Sequence, residues 1–126
     1  PEEIDYLTFR VNALNGFPVN AAFQVYFTDA SYQVVDSLIT DPEQNIVEGA
    51  PTNGPPEYKV TNPVLKTTDI NIGKARIDRL LQADKMLLRA NLSTTDGELA
   101  ILYEDYSLQL KIGIITGLSI TNTGGE

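Results

Sequence analysis

The chain has 126 residues, of which 42% are apolar and 21% charged, a balance that suits one globular domain burying roughly two thirds of its unfolded surface. It has no Cys and no His, which excludes disulfides, thiolate metal sites, cysteine nucleophiles and His-dependent serine triads, and removes the commonest general base. Nine Lys and Arg against 17 Asp and Glu leave a net charge of -8, which opposes nucleic acid and anionic lipid at long range.

No apolar stretch approaches the ~20 residues of a transmembrane helix, so this segment is not expected to insert directly into a membrane. The start, Pro1-Glu2-Glu3, lacks the basic then apolar order of a signal peptide. Thr, Val and Ile number 31 while Met is single and Trp absent, which favours strands. In residues 6–13, Leu7, Phe9, Val11 and Ala13 alternate with Tyr6, Thr8, Arg10 and Asn12, the pattern of a half-covered strand. Asn15-Gly16-Phe17-Pro18 follows as a turn, with Asn15 and Gly16 suited to positive φ. A second strand places Val19, Ala21, Phe23, Val25 and Phe27 opposite Asn20, Gln24, Tyr26 and Thr28, facing the same core as the first.

A third strand is expected over residues 32–39, antiparallel to the second and ended by Asp41-Pro42. Ile46 and Val47 suggest a short fourth strand, and residues 49–56, with three Pro and two Gly, read as a loop. Residues 58–60 and 64–72 look extended, the latter with Val64, Lys66, Thr68, Ile70 and Ile72 on one face. The period changes once, in residues 74–82, where Ile77, Leu80 and Leu81 form a helical stripe. Residues 85–93 return to alternation, with Met86, Leu88, Ala90 and Leu92 on one face and Leu87 on the other, which predicts a strand partly covered on both sides. Thr94-Thr95-Asp96-Gly97 is a strong turn signal, and Tyr106, Leu108, Leu110, Ile112 and Ile114 share one face of a last strand before a polar tail over residues 121–126.

These elements predict one mostly β domain over residues 1–126: an antiparallel β-sandwich of about seven strands with one short helix near residues 74–82. Phe23 and Leu110 are expected in its core.

Residues 1–57 hold nine acids and Arg10 as the sole base, so the first half carries the whole net charge. Asp41, Glu43 and Glu48 would reach one calcium ion only if their loop brought them together, and no Asp-x-Asp-x-Asp-Gly series supports that; a solvated face is the simpler account, and no metal is expected. Lys74, Arg76, Arg79, Lys85 and Arg89 cluster around the helix, where Asp78 and Asp84 offer local pairs. Glu104 and Asp105 are adjacent, so on an extended chain they point apart and cannot flank one scissile bond. No catalytic residue and no cofactor are therefore assigned. Tyr6 and Tyr26, on the outer faces of neighbouring strands, are the candidates for stacking a sugar or base.

The run Asn15-Gly16-Phe17-Pro18-Val19-Asn20-Ala21, continuing into Gln24-Val25-Tyr26-Phe27-Thr28-Asp29 and Val35-Asp36-Ser37-Leu38, resembles domains of large surface-exposed lipoproteins of Bacteroidetes-type bacteria. Residues 77–83, 86–94 and 106–111 extend the likeness over most of the chain, although Gly73 stands where a Thr or Ser cap is expected and the Pro-rich residues 51–56 have no counterpart. The resemblance implies a fragment of a larger exported protein, periplasmic or at the cell surface, with no established activity and no catalytic residues to transfer. It also implies O-glycosylation at Asp followed by Ser or Thr and an apolar residue, a pattern met by Asp36-Ser37-Leu38, so that Ser37 is a candidate modification site.

Two functions follow as expectations. One is a non-catalytic structural or interaction module whose partner is a protein or glycan; the other is a β-sandwich that binds a small ligand or glycan. A cavity lined by residues 6–13 and 106–114 would favour the second, and a solid core there the first.

Overall fold

The computed structural model describes residues 2–39 and 43–120. Seven strands and one α-helix form a mostly antiparallel β-sandwich: β1 (Glu2–Asn15), β2 (Val19–Thr28), β3 (Val34–Ser37), β4 (Asn45–Val47), β5 (Val64–Gly73), α1 (Lys74–Leu80), β6 (Lys85–Thr94) and β7 (Leu108–Ile120). The expected strand end at Asp41-Pro42 and the polar tail lie outside the described residues.

Sheet one runs β5-β1-β7, and in sheet two β2 carries β3 and β4 on one side and β6 on the other. The register sets Leu7, Phe9, Val11 and Ala13 of β1 between Ile72, Ile70, Thr68 and Lys66 of β5 and Thr116, Ile114, Ile112 and Leu110 of β7. That row is the inner face, as the alternation predicts. In sheet two Ala21, Phe23, Val25 and Phe27 pair with Leu92, Ala90, Leu88 and Met86, which gives the second inner row.

β1 and β2 are joined by three residues yet belong to different sheets. Asn15 makes that crossing. It is 1% exposed; its Nδ2 donates to the carbonyls of Phe17 (3.0 Å), Val19 (3.0 Å) and Glu48 (2.8 Å), and its Oδ1 accepts the Phe17 N–H at 2.9 Å. The turn therefore works through side-chain hydrogen bonding, not through the positive φ expected of Asn15 and Gly16; Tyr32, Tyr58 and Asp96 adopt positive φ instead, with Gly54 and Gly97. Gly16 is needed for close approach, since its N–H donates to the Ser107 carbonyl at 2.8 Å and an added Cβ would lie 3.2 Å from that oxygen.

The covered part of the core lies between β5 and the β3/β4 side of sheet two. Ile39, Ile46, Val47, Ile72 and Ile77 are buried there, with Ala13 and Ala21 at the centre and Phe23 half-buried against them. α1 packs on β1, β3 and β5. Its stripe is narrower than expected: Ile77 is buried and Leu80 half-buried, but Leu81 caps the helix and is 79% exposed. Gly73 caps the other end without a side-chain hydrogen bond.

The helix is fastened by charge as well. Arg76 Nε donates to Asp36 Oδ2 at 3.1 Å, its Nη2 reaches the Ser37 carbonyl, and Arg79 Nη2 stands 3.6 Å from the same carboxylate. Arg76 and Arg79 thus pair with Asp36, an acid of the first half, and not with the neighbouring Asp78 and Asp84. Burial pushes the Asp36 carboxyl up, but the hydrogen bonds from Arg76 and the Ser37 N–H, with the charges of Arg76 and Arg79, outweigh it and hold it below the usual carboxylate range.

Several expected boundaries shift. Residues 58–60 contribute only an isolated bridge from Val60 to Thr52, and residues 32–39 form a strand only over Val34–Ser37. Thr95–Gly97 is a 3₁₀ turn that leads into irregular chain instead of closing a hairpin.

Candidate functional site

The two flanks of the sandwich differ. Along the first, β5 opposes β3 and β4, α1 packs at one end, and inward charges are paired: Lys66 meets Glu48 at 3.4 Å, and Asp36, in register with Phe27, meets Arg76 at 3.1 Å. Along the second, β6 and β7 are edge strands of the two sheets, each paired with one neighbour only among the described residues. Their inner rows are apolar and uncovered: Met86, Leu88 and Leu92 of β6 and Leu108, Leu110, Ile112 and Ile114 of β7 are 42% to 70% exposed.

This corrects two expectations. β6 is not partly covered on both sides; every residue from Lys85 to Ser93 is exposed. Leu110 is on the inner face as predicted but 49% exposed, because sheet two does not close over it.

The size of the open flank is unusual for a domain of this mass. The seven inner-row side chains of β6 and β7 contribute on the order of 800 Å², above the ~300–600 Å² of the largest apolar patch on a typical monomer. At the end nearest the β1–β2 crossing the two rows meet in a groove of about 260 Å³ lined by Phe17, Val19, Phe23, Leu92, Leu102 and Leu108. An aromatic group closes the chain behind it: Tyr106 stands edge-to-face on Phe17 (5.7 Å) and Tyr103 (5.5 Å), and its hydroxyl accepts the Val60 N–H at 2.8 Å.

Charge on the flank is one-signed. β6 carries Lys85 and Arg89 and β7 carries Lys111, with no acid in either strand. The register places Lys85 and Arg89 on the outer row of sheet two and Lys111 on the outer row of sheet one. Lys85 Nζ sits 3.9 Å from the centre of the Tyr32 ring, while Arg89 and Lys111 have no ion-pair partner among the described residues.

Tyr6 and Tyr26 are not brought together. Tyr6 lies on the outer face of sheet one, its ring so close over Gly117 that a Cβ there would stand 1.8 Å from a ring carbon, which is the covering of a strand glycine by a cross-strand aromatic. Tyr26 lies on the outer face of sheet two, opposite Ser37 and Leu87. The outer faces of two packed sheets point apart, so these rings form no common platform.

Ser37 is half-buried in β3, its N–H donating to Asp36 Oδ1 at 2.8 Å and its carbonyl taken by Arg76. Of the acids weighed for calcium, Asp41 lies outside the described residues and Glu48 is paired with Lys66; among the described residues no three acids gather at metal-binding distance. The outer face of sheet one carries a polar ladder instead, with Thr8 on Asn71 (2.7 Å), Arg10 bidentate on Asp69 (2.8 and 2.9 Å) and Thr67 on Asn12.

The open flank was not singled out from the sequence. Its signal was the joint run of apolar alternation and bases without acids in residues 85–93 and 106–114. The chain matches no protein-family model, no curated protein and no solved structure.

Proposed function

We propose that this domain is a non-catalytic interaction module of an exported bacterial surface protein, and that it engages its partner through the β6/β7 flank. The observation that carries the reading is the pair of uncovered apolar rows on two edge strands, each paired on one side only among the described residues. Their area, on the order of 800 Å², matches the ~800 Å² that each partner contributes to a stable interface. The absence of His and Cys supports a role without acid–base or thiol chemistry, and the resemblance to lipoprotein domains supports export.

The small-ligand reading draws less support. The groove is open along its side and, at about 260 Å³, falls below the ~300–1,000 Å³ of ordinary ligand sites. Modification at Ser37 stays within the proposal: β3 pairs with β2 on one side only, and the peptide containing Ser37 should carry glycan mass when the protein comes from its own cell.

The test is a variant in which Leu88, Leu110 and Ile112 are each changed to Ser. The wild-type chain drawn from its native cell should elute in an assembly larger than its own mass, and the variant should elute alone with an unchanged circular dichroism spectrum. A wild type that elutes alone, or a variant that stays in the assembly, removes the reading.

A further inference from the structure

The free edge of β6 offers more than an apolar patch. Edges of natural sheets are blunted by short strands, proline, bulges, charged side chains along the edge or inward-pointing charge. The first flank of this sandwich uses such devices: β3 has four residues, β4 has three, and Lys66 points inward from β5. β6 has none of the inward kind. It runs ten residues in unbroken register with β2, without Pro, and its inner row Met86, Leu88, Ala90, Leu92 is wholly apolar. Ten residues of strand present about 30 Å of backbone whose outer N–H and C=O groups have no strand partner among the described residues.

The outer row decides what such an edge selects. Lys85 and Arg89 stand four residues apart on one face, no acid lies in the strand, and Lys111 adds a third base on β7. A second copy pairing edge to edge would bring these bases together, which disfavours self-pairing. A strand with acids at the facing positions is favoured by the same charges.

We propose, on the basis of the interaction reading above, that β6 accepts an extended strand from another polypeptide. At least seven residues of that strand would be apolar at every second position and acidic on the alternate ones. Its apolar side chains would lie between the Met86–Leu92 row and the Leu108–Ile114 row, and its acids would face Lys85 and Arg89. This is strand addition, in which backbone hydrogen bonds give affinity and alternate side chains give selectivity.

The probes are three labelled nine-residue peptides: one alternating Val with Glu, one alternating Val with Lys, and one with the composition of the first but its five Val contiguous. Fluorescence anisotropy with the 126-residue chain should show saturable binding of the Val/Glu peptide, about tenfold tighter than the Val/Lys peptide, as expected from two exposed charge pairs made or reversed, and tighter than the contiguous peptide, whose Val side chains cannot all face the apolar row. Lys85→Glu with Arg89→Glu should invert the preference toward the Val/Lys peptide. Leu88→Ser with Leu92→Ser should weaken both by about tenfold or more without lowering the melting temperature, since both positions are already exposed.

Equal binding of the alternating and contiguous Glu peptides, no binding up to millimolar concentration, or a charge reversal without effect would overturn the proposal. So would a wild-type dimer that Leu88→Ser with Leu92→Ser dissolves, which would place a second copy on the flank. If no peptide binds while the triple Ser variant still leaves its native assembly, the strand occupant alone fails and the interface stands. If that variant stays in the assembly, the interface itself is lost.

Discussion

Asn15 is the side chain on which the two-sheet topology hangs, and replacing it by Ala should be among the most damaging single changes in the chain. The substitution removes an acceptor for the Phe17 N–H and the donor shared by the carbonyls of Phe17, Val19 and Glu48. The position is 1% exposed, so water does not replace the lost partners without local opening. Taking the amide's two N–H donors and one accepted bond at about 1 kcal/mol each, plus part of the penalty for stranded buried carbonyls, gives a loss of about 2–4 kcal/mol. For a domain of this length that is about 6–15 °C in melting temperature. Urea denaturation followed by circular dichroism measures it directly, provided one transition is seen. Asn15→Asp sharpens the test, because it keeps the acceptor but turns a second oxygen toward three carbonyls. Its buried carboxyl should have a raised pKa, so the folded state holds the proton more tightly than the unfolded chain does. The deficit against wild type should therefore shrink as pH falls from about 7 toward 5. A loss below about 1 kcal/mol for Asn15→Ala, or an Asp variant indifferent to pH, would refute the assignment of Asn15 as the crossing's fastening.

Three other outcomes follow from the same packing. Asp36→Asn should cost about 1–3 kcal/mol at pH 7, since it discharges the carboxylate under Arg76 and Arg79; Asp36 has a lowered folded pKa, so its contribution is full above the ordinary carboxylate value of about 3.9 and fades as pH falls through the folded value below it, where wild type and variant should converge in melting curves. Gly49→Ala should cost about 1–3 kcal/mol by denaturant titration, because the new Cβ would stand 2.2 Å from Thr95 Oγ1, and adding Thr95→Ala should recover part of the loss. Phe23→Ala should cost about 2–4 kcal/mol and Leu110→Ala about 1 kcal/mol or less, since only the first is packed against the core.

The strands of this protein are legible because alternation is a local property. The inner rows of residues 6–13, 64–72, 85–93 and 106–114 follow from period two alone, and the registers of β1 with β5 and β7, and of β2 with β6, keep each sheet's row on one face. What alternation does not carry is whether an apolar row is covered. Leu110 has the same pattern as Val11, yet its covering depends on how far sheet two extends, which no local segment encodes. Tyr6 and Tyr26 illustrate the companion problem: strands adjacent in sequence are expected to be neighbours in space, but the short link after Asn15 crosses between sheets and sends the two rings to opposite surfaces. The Asp36–Arg76 contact spans 40 residues and is likewise invisible to spacing rules, which pair each helical base with its nearest acid.

The absence of any native Cys allows the most direct test of whether the β6/β7 flank is a covered interface when the protein works. Leu88→Cys places a lone thiol on the flank, and Asp78→Cys places one on the exposed side of α1, which packs on β1, β3 and β5. In the purified chain both thiols should react with a small maleimide at similar rates, as two exposed thiols do. In the cell that makes the protein, Leu88→Cys should react about tenfold more slowly than Asp78→Cys, because the partner shields it. Equal labelling of the two positions in the cell would contradict the account.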